Sequence, residues 1–181
     1  ADSWTPLFEG IAYTQVVERE PAPLEVHVIR IDLEKAGLKF LATPSNGDRP
    51  EETDSRATSA FLDEFGLQLA INATPFAPVV NEAGHPMDIV GLSISQGDMY
   101  SEPHPTWSAL LITKDNRVTI TPPPYRTDGV WNAVGGFDML VVDGRNVGAD
   151  DVRHPRTAAG LCETGRYLYF GSARGPGGIR A

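Results

Sequence analysis

The sequence holds a single cysteine, Cys162, which excludes an intrachain disulfide and every zinc motif built on several cysteines. Bases are scarce: 15 Lys and Arg stand against 24 Asp and Glu, a net charge of −9. That balance argues against a nonspecific grip on nucleic-acid phosphates or anionic lipid, so neither nucleic acid nor membrane is an expected partner. Any bound phosphate must be held locally. No apolar run approaches the roughly 20 residues that a membrane-spanning helix needs; Met139 to Val142 is among the longest. A charged-then-apolar leader is also missing, whereas Ala1-Asp2-Ser3-Trp4 suits a mature chain released from a signal peptide, and a secreted or periplasmic location is expected. Internal repeats and heptads are lacking too.

What the 181 residues do contain is a globular composition, 41% hydrophobic and 22% charged, enough to bury one core. The dominant pattern has a period of two. It is clearest over Glu25 to Leu33, where Val26 and Val28 share one face and Ile29, Ile31 and Leu33 the other, with a phase slip that suggests a bulge. Leu38, Phe40 and Ala42 continue in that style. Leu67 to Ile71, Ile89 to Ile94, Ala109 to Thr113, Arg117 to Thr121, Met139 to Val142 and Tyr167 to Phe170 read as further strands. Lys114-Asp115-Asn116-Arg117 and Asp143-Gly144 are turn signals. One segment, Ser55 to Phe65, has a helical stripe, with Thr53, Asp54 or Ser55 to cap it and Gly66 to end it. The expected fold is therefore α+β, a β-rich mixed sheet with one or two helices packed on it. One domain over 1–170 is followed by a Gly-rich stretch, 171–181, that reads as a flexible tail.

Six features could carry chemistry. Asn72, in Ile71-Asn72-Ala73-Thr74-Pro75-Phe76, has an amide that can orient a sugar hydroxyl or a phosphoryl oxygen, or simply cap a turn. Arg156, in His154-Pro155-Arg156-Thr157-Ala158, can fork to a phosphate beside a hydroxyl and an imidazole, or sit in a solvated turn. His85, Asp88, Asp98 and His104 are suitable ligands for a borderline divalent metal, or ordinary loop residues. Gly135-Gly136 could cradle an oxyanion with Asp138 as a nearby acid or base, or form a tight turn. Cys162 could be a nucleophile or small core filler. Trp107 and Trp131 could stack a sugar, or pack in the core.

Taken in order, these segments resemble the phosphodiester glycosidase family. Its Ile-Asn-Gly-Gly-Phe-Phe strand end is matched by Ile71 to Phe76, and its Gly-containing turn by Gly91 to Gly97. Its Gly-Gly segment leading to Leu-Val-x-Asp-Gly is matched by Gly135 to Gly144, and its Arg-Thr-Ala by Arg156-Thr157-Ala158. The resemblance runs from about Ile11 to Phe170 and covers about the first two thirds of the family domain. The closing Leu-Asp-Gly-Gly-Gly-Ser segment has no counterpart, as in a truncated or frame-shifted gene, and the sheet edges this would uncover imply a homo-oligomer.

The resemblance implies hydrolysis of a small sugar-phosphate diester without a cofactor. Arg156 and Thr157 would hold the phosphate and Asn72 would orient substrate oxygens. His154 would donate a proton, and Asp88 or Asp138 would supply the carboxylate. The alternative is a metal-assisted phosphoester, phosphotriester or carboxylester hydrolase, with a divalent metal on His85, Asp88, His104 and His154. A third reading is a noncatalytic remnant that binds carbohydrate or oligomerises.

Overall fold

The structure, a computed structural model, describes residues 3–20, 23–148, 153–174 and 179–180, with 153, 154, 179 and 180 described by their backbone. The fold is nearly all β, 42% strand and 4% helix, which corrects the α+β expectation. The chain divides into two compact units, one of 1–39, 116–120 and 138–181, the other of 40–115 and 121–137.

The first unit is built on an antiparallel sheet in the order Thr5–Phe8, Ile11–Glu18, Leu24–Asp32, Tyr167–Arg174, Arg156–Leu161. Leu24–Asp32 occupies the middle, and its register to both neighbours is unbroken. There is no bulge at the phase slip. A central strand is covered on both faces, so apolar residues are needed on each and the alternation blurs. Ile31, Leu168 and Ala173 are the buried side chains here. Tyr167–Arg174 carries four residues further than the apolar run predicts, so Gly171 to Arg174 are strand and not tail. Ile179–Arg180 likewise pairs with Arg153–His154. Asp143 and Gly144 take φ values of 50° and 73° between the paired strands Val141–Val142 and Arg145–Asn146, the two-residue hairpin expected of that dipeptide.

A fork closes one end of the strand pair Leu24–Asp32 and Tyr167–Arg174. Arg166 donates from Nε to Asp32 Oδ1 at 3.0 Å and from Nη2 to Asp32 Oδ2 at 2.7 Å. The Arg166 guanidinium holds the Asp32 carboxyl below its ordinary value against a smaller opposing effect of burial, helped by the Glu34 N–H. A carboxyl depressed on folding stabilises the fold above its unfolded pKa, and that contribution fades as pH falls through the folded value. Arg166→Met is therefore expected to lower the urea midpoint at neutral pH and to flatten its decline below about pH 4. An unchanged acid limb in the variant would assign the decline to other groups.

In the second unit Ala109–Thr113, Val130–Gly135, Ser93–Ser95 and Asp98–Ser101 are successive antiparallel neighbours. Leu92, Ile94, Ala109, Leu111 and Ala133 form its core, with Tyr125 and Val130 packed against them. Asn116, with φ 62°, supplies the left-handed residue expected in the turn after Ala109–Thr113. A smaller sheet pairs Thr53–Asp54 and Phe76–Ala77 with the two edges of Pro86–Ile89.

The expected helix is reduced to Thr58–Glu64, with no side-chain cap and no buried residue. Its expected caps are used elsewhere: Thr53 and Asp54 pair with Met87 and Pro86, and Ser55 Oγ donates to Glu82 O and accepts from His85 N. Gly66 does end it, with φ 59°. Ile89 to Ile94 is not one strand, because Gly91 turns the chain at φ 108°. Leu67 to Ile71 and Leu38 to Ala42 are irregular. Alternation shows which faces are apolar; it does not provide a neighbouring ladder. Around Ala42 side chains take the ladder's place: Asn132 Nδ2 donates to Phe40 O, Ala42 N donates to Asn132 Oδ1, and Ser95 Oγ and Tyr100 Oη donate to Ala42 O and Thr43 O.

Candidate functional site

The pairing of Phe76–Ala77 with Asp88 and Ile89 brings the Asn72 segment beside Asp88. Val90 N donates to Pro75 O at 2.9 Å, and Ser93 Oγ to Thr74 Oγ1 at 3.4 Å. Asn72 and Asp88 themselves are exposed.

Glu52, which the sequence pattern does not single out, completes this site. Its N–H donates to Met87 O at 3.2 Å, and its Oε2 accepts from Ile89 N at 2.7 Å. The side chain is thus laid along the strand that carries Asp88. Burial pushes the Glu52 carboxyl up, and the Asp88 side chain, within hydrogen-bonding reach, pushes it further, while the Ile89 N–H opposes both. Burial also raises the Tyr100 phenol, the Ser93 hydrogen bond opposing and the Glu52 charge adding, and Tyr100 donates to Thr43 O at 2.6 Å. A part-buried acid and a carboxylate partner can hold and move a proton. Glu52 itself leaves no trace in the sequence pattern; the residues just after it, Thr53, Asp54 and Ser55, read as helix caps.

The other expected site residues fall differently. Asp138 is exposed, in the first unit. Arg156 is half-buried and Thr157 exposed on the strand Arg156–Leu161, and strand alternation sends them to opposite faces, so they do not form one forked donor set. The side chain of His154 lies outside the described residues. Thr157, Ser172, His27 and Gln15 are register partners across four strands and share a face. On it His27 Nδ1 lies 2.8 Å from Tyr13 Oη and Nε2 lies 3.3 Å from Glu25 Oε1. Sequence reading missed His27 because Tyr13 and the register partners Gln15, Ser172 and Thr157 stand on other strands.

The metal alternative is not supported by its ligand set. Among the described residues no three His, Cys, Asp or Glu are placed to hold a metal ion. His85 Nδ1 lies 2.7 Å from Pro86 O, a bond that by itself is compatible with ligation through Nε2, so it is the missing companions that count against the set. His104 is stacked on Trp107. Gly135 and Gly136 do not cradle an oxyanion, because their N–H groups donate to Leu92 O at 2.7 Å and Ser108 O at 2.8 Å. Gly135 instead permits close strand approach: a Cβ there would lie 3.1 Å from Leu92 N. The paired use of Trp107 and Trp131 is also corrected. Trp107 joins His104 and Phe137, while Trp131 meets Gly97 and the Lys114 ammonium.

Cys162 is not core filler. It sits at a hairpin end, where Tyr167 N donates to its Sγ at 3.1 Å and Thr164 Oγ1 lies 3.2 Å away. The Thr164 hydroxyl first, then the Tyr167 N–H, lower its thiol below the ordinary range. Alkylation by iodoacetamide should accordingly reach half its maximal rate below the free-thiol value of about 8.5, and Thr164→Val should move that midpoint upward. A midpoint at the free-thiol value in both proteins would refute this.

Among the described residues no helix is long and apolar enough to cross a membrane. Compared with known proteins, residues 65–180 match the model of a family described as phosphodiester glycosidase. The match includes Asp88 and excludes Glu52. No curated protein matches the chain.

Proposed function

The chain belongs to the phosphodiester glycosidase family, and on that premise we propose that it hydrolyses a sugar-phosphate diester by acid–base catalysis at Glu52 and Asp88. The observation that carries this reading is the carboxyl pair, in which Glu52 is raised by burial and by its neighbour beside the segment that bears Asn72.

The bond from the anomeric carbon to the phosphate oxygen breaks first, and water then adds to the oxocarbenium ion from the side that the phosphate leaves, the side on which both carboxyls stand. Asp88 accepts the proton from water, and Glu52 gives its proton to the departing oxygen. One proton enters the pair and one leaves it, so the pair is restored by internal transfer between its two members. Asn72 is the amide that orients oxygens at this site. Tyr100 keeps its phenol protonated and directed at Thr43 O.

The test is turnover of a chromogenic sugar phosphodiester by the full chain and by Asp88→Asn, before and after chelation. Chelator-resistant turnover that collapses in Asp88→Asn supports the reading. Wild-type turnover in Asp88→Asn would overturn it.

A further inference from the structure

Close to the carboxyl pair, in the same unit, three rings pack together. His104 lies 3.9 Å from Trp107 with planes 21° apart, and Phe137 meets Trp107 edge-on at 4.8 Å. Phe137 is 54% exposed and the other two are half-buried, so a surface ring is backed by two more. Backbone bonds hold the arrangement: Ser108 N donates to Phe137 O at 2.9 Å, and Gly136 N to Ser108 O at 2.8 Å. An exposed aromatic on a fixed base is a prearranged flat surface.

Its position matters as much as its shape. Gly91 lies under the stack, where a Cβ would be 3.7 Å from both His104 Cβ and the Trp107 ring. Gly91 follows Asp88 by three residues, so the two Cα atoms are at most about 11 Å apart. Ser101 Oγ donates to both Ile89 O and Gly91 O, at 3.0 and 2.9 Å, which ties the stack's foot to the strand of the carboxyl pair. The surface also has a polar edge. Thr106 N donates to His104 Nδ1 at 3.4 Å, so the neutral imidazole carries its proton on Nε2 as a donor.

An apolar face with a hydrogen-bond donor at its rim matches a pyranose ring, which has a C–H face and a hydroxyl edge. We propose that the His104–Trp107–Phe137 stack is the subsite for the sugar ring of the substrate. The assignment rests on the carboxyl-pair reading for the identity of the ligand, and binding tests it separately from turnover.

The full chain is titrated with methyl glucopyranoside and methyl mannopyranoside, with cyclohexanol as an apolar control, reading tryptophan fluorescence and saturation-transfer NMR. Trp131→Phe removes one of three tryptophan reporters outside the stack and should leave binding unchanged. A pyranoside should saturate, with affinity about tenfold weaker in Phe137→Ala. His104→Phe, which keeps a ring and loses the donor, should weaken the pyranoside and leave cyclohexanol unaffected. Failure of both pyranosides to saturate, or equal binding of cyclohexanol, overturns the subsite. If Glu52→Gln still abolishes turnover in that case, the acid–base reading stands without it. Saturable pyranoside binding with full turnover in Glu52→Gln keeps the subsite and removes the acid–base reading.

Discussion

Replacing Glu52 with Gln is expected to lower kcat for a sugar phosphodiester by roughly 10²- to 10⁴-fold, the range of a lost general acid or base. Gln keeps an acceptor for Ile89 N, which bonds Glu52 Oε2 at 2.7 Å, so the strand geometry should survive. What Gln cannot do is carry the proton. The pH dependence has a definite sign. A general acid works only while protonated, so wild-type kcat should fall as pH rises through the Glu52 value, which burial and Asp88 place above the ordinary carboxylate range. Asp88→Asn removes the neighbouring charge and should move the residual alkaline limb downward, while the effect of burial remains. Measuring kcat against pH for the wild type and both variants decides the matter. A Glu52→Gln enzyme within twofold of wild type, or an alkaline limb that Asp88→Asn does not move, would remove the pair from the mechanism.

The second large effect concerns stability. Asn132 is 2% exposed, and its amide serves three backbone groups. Oδ1 accepts from Ala42 N at 3.0 Å and from Gln96 N at 3.3 Å, and Nδ2 donates to Phe40 O at 3.0 Å. Asn132→Ala strands all three. At about 1–3 kcal/mol for each unsatisfied buried group, with relaxation recovering part, the expected loss is about 3–5 kcal/mol. Asn132→Asp should also be costly, because the acid keeps the acceptor, loses the donor to Phe40 O and introduces a charge at a position 2% exposed. Urea unfolding at neutral pH is the measurement. A loss below about 1 kcal/mol for Asn132→Ala would mean that Phe40 to Ala42 is held by other bonds.

These two side chains mark the boundary of what could be read in advance. The strand Ala109–Thr113 matched its apolar run residue for residue, because a strand buried on both faces is written as continuous apolar sequence. The turns at Asn116 and at Asp143-Gly144 were also legible, since the left-handed backbone they adopt is a preference of the residues themselves. The helix was over-read. Its capping residues are equally good strand-edge and turn residues, and Thr53 and Asp54 found partners in Met87 and Pro86.

The site was half legible. The Asn72 segment and Asp88 were named from the sequence, and one small sheet joins them. Glu52 was not, because its meaning comes from Ile89, 37 positions along the chain. Arg156 and Thr157 read as one binding element, yet alternation on their strand sends them to opposite faces. Trp107 was paired with Trp131 in the sequence reading, which the structure does not support. Its partners, His104 and Phe137, are joined to it through loop closure and backbone bonds.

The sequence by itself determined the β-rich character, the main turns, the family and the absence of any several-cysteine motif, since each depends on composition, local backbone preference or a short ordered motif. Only the tertiary structure decided which carboxyls meet, which amide replaces a missing ladder around Ala42 and which rings stack. Those outcomes depend on pairing and register between distant segments, and a shift of one residue turns every side chain of a strand to the other face.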